Sequence, residues 1–165
     1  MVTIRTLRVE EVDATTNTIN RLLQQLRPGV DRVGAAGIAE ELKDPKHVQL
    51  FVVEDKTKKG EDAIVGMATV IYFWKLTRPQ VEIHDVVLAE AYRGQGIGRQ
   101  LMERVIASVR ARAQIEKKQI NIKLTSRPER VAGNALYQKM GFTMVAKAEP
   151  GERGTNLYEL KITPR

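Results

Sequence analysis

Val81-Glu82-Ile83-His84-Asp85-Val86-Val87-Leu88-Ala89-Glu90-Ala91-Tyr92-Arg93-Gly94-Gln95-Gly96-Ile97-Gly98-Arg99-Gln100-Leu101-Met102 is the stretch on which the fold turns. It opens as an apolar, β-rich run and breaks into a turn with glycines at alternate positions. It continues as an amphipathic helix whose face is Ile97, Leu101, Met102, Val105, Ile106 and Val109, running to about Gln114. Glycines in such a turn let the backbone curl so that several N–H groups point inward, above the positive end of the helix dipole. This turn is expected to cradle the pyrophosphate of a nucleotide-containing ligand, and the strand before it to carry the chemistry.

Downstream, Gln119 to Thr125 alternates Ile120, Ile122 and Leu124 with polar residues and reads as a strand. With the strand before the helix it forms a β-α-β crossover, so the two strands are expected to be parallel neighbours. Ser126 and Glu129 have capping-box spacing around Pro128, and the helix they open is expected to bury Val131, Ala135, Leu136 and Met140 and to end at Gly141. Phe142 to Lys147 and Asn156 to Ile162 read as strands joined through a turn at Pro150-Gly151.

Upstream, Thr3 to Val9 is an opening strand, and Asp13 caps a helix with Ile19, Leu22, Leu23 and Leu26 on one face. Arg27-Pro28-Gly29 ends that helix, and a short second one spans about Gly34 to Leu42. Val48 to Glu54 and Ala63 to Trp74, the latter interrupted by Gly66, flank the polar hairpin Asp55–Asp62. These strands and the one entering the central stretch make a meander. The expectation is a single domain, 1–165, with a mixed α/β sheet and helices on its faces.

The composition, 42% hydrophobic and 28% charged over 165 residues, suits one globular core. Cysteine is absent, which removes disulfides and thiolate nucleophiles, and the histidines, His47 and His84, form no metal-ligand spacing. No apolar run approaches the ~20 residues of a transmembrane helix, so a cytoplasmic protein with no membrane partner is expected. The net charge of +7 could meet nucleic acid or attract a polyanionic cofactor. Scattered basic residues and only 5% aromatics make a poor base-stacking platform, and nucleic acid is not expected as a partner.

Arg93-Gly94-Gln95-Gly96-Ile97-Gly98 is not a Walker A loop, since no Lys-Ser or Lys-Thr follows. Nor is it the dinucleotide fingerprint, because its glycines run G-x-G-x-G after an antiparallel meander. In combination with Asn134-Ala135-Leu136-Tyr137-Gln138-Lys139-Met140-Gly141-Phe142 further on, and with Ile4-Arg5 and Asp13 at the start, it closely resembles the GNAT superfamily of acetyl-CoA-dependent N-acetyltransferases. The resemblance covers essentially the whole chain. It implies the GNAT fold, about seven mostly antiparallel strands in a mixed sheet with about four helices, and acetyl-CoA as co-substrate without a metal.

The resemblance also implies roles. The backbone of Arg93, Gly94, Gln95, Gly96, Ile97, Gly98 and Arg99 would bind the CoA pyrophosphate, where added side chains on the glycines would obstruct. Val86, Val87 and Leu88 would pair with the pantetheine arm as an added strand, with an N–H near Val87 stabilising the oxyanion. Asn134 resembles the residue that holds the cofactor arm, and Tyr137 the general acid that protonates the departing thiolate. A base is needed because an ammonium cannot attack, and Glu82, His84 and Asp85 are the candidates. Glu82 has the spacing of the GNAT histone acetyltransferase glutamate. His84-Asp85 stands where glucosamine-6-phosphate N-acetyltransferases carry Glu-Asp, and the histidine departs from that pattern. By period 2, Glu82 and His84 share one face and Asp85 points to the other. Arg127, just past a strand end, is a candidate substrate or cofactor contact. The acceptor is expected to be a small-molecule or peptide amine, and the protein a monomer or homodimer. A CoA-binding module without turnover is the alternative.

Overall fold

In a computed structural model, described over residues 1–149 and 154–165, the chain forms seven strands and four helices. The turn expected at Pro150-Gly151 lies outside the described residues. The elements are β1 (Val2–Thr6), α1 (Val12–Leu26), α2 (Ala35–Leu42), β2 (Val48–Asp55), β3 (Ile64–Trp74), β4 (Pro79–Leu88), α3 (Ile97–Glu116), β5 (Ile120–Ser126), α4 (Val131–Lys139), β6 (Thr143–Ala146) and β7 (Asn156–Ile162). The strands form one mixed sheet in the order β1-β2-β3-β4-β5-β7-β6. The expected α/β fold is the one observed, including the parallel β4–β5 pair that the crossover through α3 requires. Two compact units are distinguished, Met1–Ile71 with Asp85–Ile106, and Tyr72–His84 with Ala107–Arg165.

In the first unit, Val12, Ile19, Leu22 and Leu23 of α1 join Leu42 of α2 and Leu50, Val52, Met67 and Val87 of the strands in one buried cluster. The three-and-four spacing of the α1 residues puts them on one stripe, and removal of that stripe from water drives the helix onto the strands. Asp13 is not the cap. The helix begins one residue earlier, with Glu11 in the N-cap position and Asp13 exposed in the first turn, where a carboxylate still favours the dipole. Glu11 accepts two hydrogen bonds from the Arg5 guanidinium, at 2.9 and 2.8 Å, and one from the Arg8 backbone N–H at 2.9 Å. The α1–α2 connection is held by α1 itself. Buried Asn20 pairs with both the N–H and C=O of Val33 (2.8 and 2.9 Å), and Gln24 receives the Gly29 N–H at 3.1 Å.

Gly66 does not interrupt β3. It lies inside the strand opposite Val53, and a Cβ there would stand 2.4 Å from Leu88 Cδ2 and 3.0 Å from the Val87 carbonyl oxygen. Glycine is present because β4 comes too close for any side chain.

In the second unit, β5 pairs with β4 and β7, and Ile120, Ile122 and Tyr158 are fully buried. The expected capping box at Ser126 is absent. Ser126 is the buried last residue of β5, drawn into register with Asn156 of β7, and α4 starts only at Val131. The face of α4 is rotated accordingly: Val131 and Ala135 are exposed, Leu136 and Met140 half-buried, and Tyr137 is the buried residue. Gly141, at φ 91°, ends the helix as expected. α3 runs two residues beyond Gln114. It stops where Lys117 takes φ 52° and the Lys118 N–H returns to the Ala113 carbonyl at 3.2 Å, a Schellman-type closure.

Candidate active site

The glycine turn lies in the first unit between β4 and α3. Gly94 and Gly96 take φ values of 72° and 78°, which L-residues rarely adopt, while a Cβ on either would meet nothing within 4 Å. Their glycine character answers a backbone demand and leaves open space in front of the turn. Among the described residues, the N–H groups of Gly94 through Arg99 find no acceptor in the protein, and the first amide paired into the helix is that of Gln100, bonded to the Gly96 carbonyl at 3.1 Å. A run of unpaired donors at the positive end of a long helix is an anion site in waiting.

The turn is held from behind by its side chains. Arg93 Nε donates to the Leu88 carbonyl at 3.1 Å and its Nη2 to Gln25 at 3.5 Å, while Gln95 donates to the Ala91 carbonyl at 2.8 Å. Tyr92 donates its phenol hydrogen to Asp55 at 2.6 Å, and Asp55 is further bonded by the Thr57 N–H and hydroxyl. Those hydrogen bonds, Tyr92's first, hold the Asp55 carboxyl at about 2, so it is ionised throughout the working range. Arg99 is exposed and paired along the helix with Glu103 at 2.8 Å.

β4 changes character at Asp85. The parallel register pairs Gln80–Ile83 with Asn121–Leu124 and ends there, and Asp85 takes φ 52°. A non-glycine residue in that region inside a strand is strained, and two side chains hold it: Arg27 at 2.7 Å and Thr69 at 3.1 Å. The next residues, Val86, Val87 and Leu88, complete the strand, with Val87 buried and the Ala89 N–H bonded to the Val65 carbonyl at 2.8 Å.

Before that kink, Gln80, Glu82 and His84 follow the period of the strand and form a chain on one face. Gln80 donates to Glu82 Oε1 at 3.0 Å, and Glu82 Oε2 lies 3.0 Å from His84 Nε2. A carboxylate can only accept, so Nε2 carries the hydrogen and the neutral ring keeps its basic lone pair on Nδ1. The candidate bases are thus brought together in part. Glu82 and His84 are coupled, and Asp85 is bonded instead to Arg27 and Thr69.

On α4, Tyr137 is buried against the rings of Phe142 and Tyr158, with centroids at 6.1 and 5.8 Å. Its hydroxyl has no hydrogen-bond partner among the described residues. Burial pushes the phenol above its ordinary value of 10.0, with the Arg130 charge partly opposing, so it remains a proton donor. Asn134 receives the Tyr158 hydroxyl at 2.8 Å and donates to the Arg127 carbonyl at 2.9 Å, tying the β5–α4 connection to β7. The Arg127 side chain is exposed.

Sequence reasoning missed Gln80, Arg27, Thr69, Asp55 and Tyr92. Gln80 was within reach, since it continues the i, i+2, i+4 face of Glu82 and His84. The others act across long sequence separations and left no local signal.

A family model described as an acetyltransferase (GNAT) domain matches residues 46–144, from just before β2 into β6, including the glycine turn, Asn134 and Tyr137. The chain belongs to the GNAT acetyltransferase family and is an acyltransferase by that membership. A search of the curated proteins found no match. Among solved structures, the chain is similar to a GNAT-family acetyltransferase from Streptococcus pneumoniae (15% identity, 98% of this chain and 99% of that one, TM-score 0.76). It is also similar to Arabidopsis thaliana NAA60 in complex with a bisubstrate analogue (13% identity, 98% of each chain, TM-score 0.73). YncA from Salmonella typhimurium, solved with its cofactor acetyl-CoA, shares 19% identity over 99% of this chain and 94% of that one, with a TM-score of 0.69. At these identities the likeness is one of fold.

Proposed function

We propose that the protein transfers acetyl from acetyl-CoA to a primary amine by direct attack, without a covalent enzyme intermediate. The run of N–H groups from Gly94 to Arg99, unpaired among the described residues and set at the start of α3, carries this reading, because it suits a pyrophosphate. Val86, Val87 and Leu88 lie beyond the end of the β4–β5 register, which favours their offering backbone groups to the pantetheine arm and an N–H to the oxyanion.

The amine loses its proton to His84 Nδ1, with Glu82 and Gln80 holding the ring and stabilising the imidazolium. The amine nitrogen then bonds to the thioester carbon, the C–S bond breaks, and Tyr137 gives its proton to the departing thiolate; the second nitrogen proton is released to water as the amide forms, and the tyrosine recovers its proton from water. The unpartnered Tyr137 hydroxyl supports this assignment, since no protein acceptor competes for its hydrogen among the described residues. Asp85, already shared between Arg27 and Thr69, serves better as the brace of the kink than as the base. Asn134, whose amide oxygen accepts the Tyr158 hydroxyl, is the candidate for holding the cofactor arm, and Arg127 is a candidate contact for the acceptor.

The test is calorimetric titration with CoA, followed by mass-spectrometric detection of acetylated product over a panel of small amines, amino acids, polyamines and peptides. CoA binding with acetyl transfer that is lost in both His84→Ala and Tyr137→Phe is the expected result. Binding with no product on any amine would leave a CoA-binding module and refute the enzyme.

A further inference from the structure

The second unit carries an apolar projection that the acetyl-transfer chemistry does not use. β3 and β4 are joined by Lys75–Arg78, and around this hairpin Phe73 and Trp74 are exposed while Leu76 is wholly uncovered. Ile115, on the last turn of α3, is 82% exposed. The base of the projection is built, in contrast to its tip. The Arg112 guanidinium lies 4.0 Å from the Tyr72 ring centre and 5.4 Å from that of Trp74, and is itself paired with Glu116 at 2.7 Å. The turn at Lys117 carries Lys118 back to within 5.9 Å of the Trp74 ring centre. Lys117 takes the left-handed φ of 52° that this turn requires, a conformation L-residues adopt uncommonly.

Charge surrounds the tip with one sign. Lys75 and Arg78 on the loop and Lys117 and Lys118 at the end of α3 are all exposed, and among the described residues none is in an ion pair. Glu116, the acidic residue of that terminal turn, is already paired with Arg112.

We propose that this hairpin docks on an anionic lipid surface. Leu76 and Trp74 enter the boundary between headgroups and acyl chains, and the four cations lie against the headgroups. Three features favour this occupant. A leucine and a tryptophan at the point of a hairpin suit insertion, whereas a stable protein partner needs about 800 Å² of broad surface on each side. Tryptophan prefers the interface between water and hydrocarbon, and basic residues beside it are drawn to acidic headgroups. The cations already stacked on Trp74 compete with nucleobases for its ring faces, and Leu76 and Ile115 offer a nucleic acid nothing to pair with. Adsorption of this kind needs no spanning segment, and among the described residues no helix is long and apolar enough to cross a membrane.

Trp74 is the chain's one tryptophan, so its emission reports on the proposed contact directly. The full chain is titrated with vesicles of phosphatidylcholine alone and of phosphatidylcholine with phosphatidylserine, following tryptophan emission and co-sedimentation. A blue shift and sedimentation with the anionic vesicles are expected, with at least tenfold weaker binding to neutral ones and loss at high salt. Leu76→Asp and the pair Lys75→Glu with Arg78→Glu, all at exposed positions, should each weaken binding by about tenfold or more at unchanged melting temperature. An equal response to neutral vesicles, no response to either, or undiminished binding by Leu76→Asp would overturn the proposal. So would a shift produced by a single-stranded oligonucleotide, an acidic polypeptide or self-association in place of vesicles.

Discussion

Gly66→Ala tests whether crowding between β3 and β4 is what sets the position of Val87. A Cβ at Gly66 would stand 2.4 Å from Leu88 Cδ2, 3.0 Å from the Val87 carbonyl oxygen and 3.2 Å from Val53 Cγ2. The leucine methyl is the end of a flexible chain and can rotate away. The Val87 oxygen is backbone and moves only if β4 moves, and Val53 is fully buried with nowhere to retreat. Overpacking of this kind costs about 1–3 kcal/mol. In a chain of this size each kcal/mol lowers the melting temperature by roughly 2–4 °C. If Val87 contributes to oxyanion stabilisation, its displacement should also lower kcat, by up to about 100-fold for a shift approaching 1 Å. Gly37→Ala is the matched control. Gly37 lies inside α2 with nothing within 4 Å of its Cβ position, so alanine there should stabilise by about 0.4–1 kcal/mol. Thermal melts by circular dichroism and steady-state acetyl transfer measure both. A Gly66→Ala protein that melts with the wild type and keeps its kcat would refute the argument.

At Glu11, burial pushes the carboxyl up, but hydrogen bonds from Arg5 and Arg8 outweigh it and hold it at about 2. A depressed carboxylate stabilises the fold above its unfolded value of 4.5 and loses that contribution as pH falls through about 2. Glu11→Gln should therefore cost about 1–3 kcal/mol in urea melts at neutral pH, and the gap should close between these two values; a gap unchanged at pH 2 contradicts it. Tyr137→Phe should lower kcat by about 10²–10⁴-fold with little change in melting temperature, because the hydroxyl has no protein partner among the described residues. Since burial raises this phenol, it should impose no alkaline fall in activity below its ordinary value of 10.0, which a pH–rate profile checks. At Asp85, valine should destabilise more than asparagine, because φ 52° tolerates asparagine and opposes a β-branched residue, whereas the half-exposed pair with Arg27 contributes about 0–1 kcal/mol. Equal losses in urea melts would mean that the ion pair, and not the backbone, governs the site.

Where the sequence misled, a local pattern met a tertiary competitor. Ser126 and Glu129 have the right spacing for a cap, but pairing with β7 holds Ser126 in β5. Asp13 is a good capping residue displaced by Glu11, whose partner Arg5 lies on β1. Val131 and Ala135 fit an inward stripe until the later start of α4 turns Tyr137 to the interior. Gly66 reads as a break in a strand, and only the approach of Leu88 explains it as a fit.

The strand, glycine turn and helix were legible from residues 81–102 alone, because periodicity and glycine conformational freedom are local properties. With them came the expectation of free backbone donors, since a helix start cannot pair its own first amides. Tertiary structure decided how the three carboxylate and imidazole candidates of β4 are connected. Glu82 and His84 are neighbours on one face, as alternation requires, and the bond between them fixes which imidazole nitrogen stays basic. Asp85 is set apart by a left-handed kink and by Arg27, fifty-eight residues away in sequence. No spacing rule reports a side chain that distant, because the contact exists only once α1 and β4 have folded against a common core.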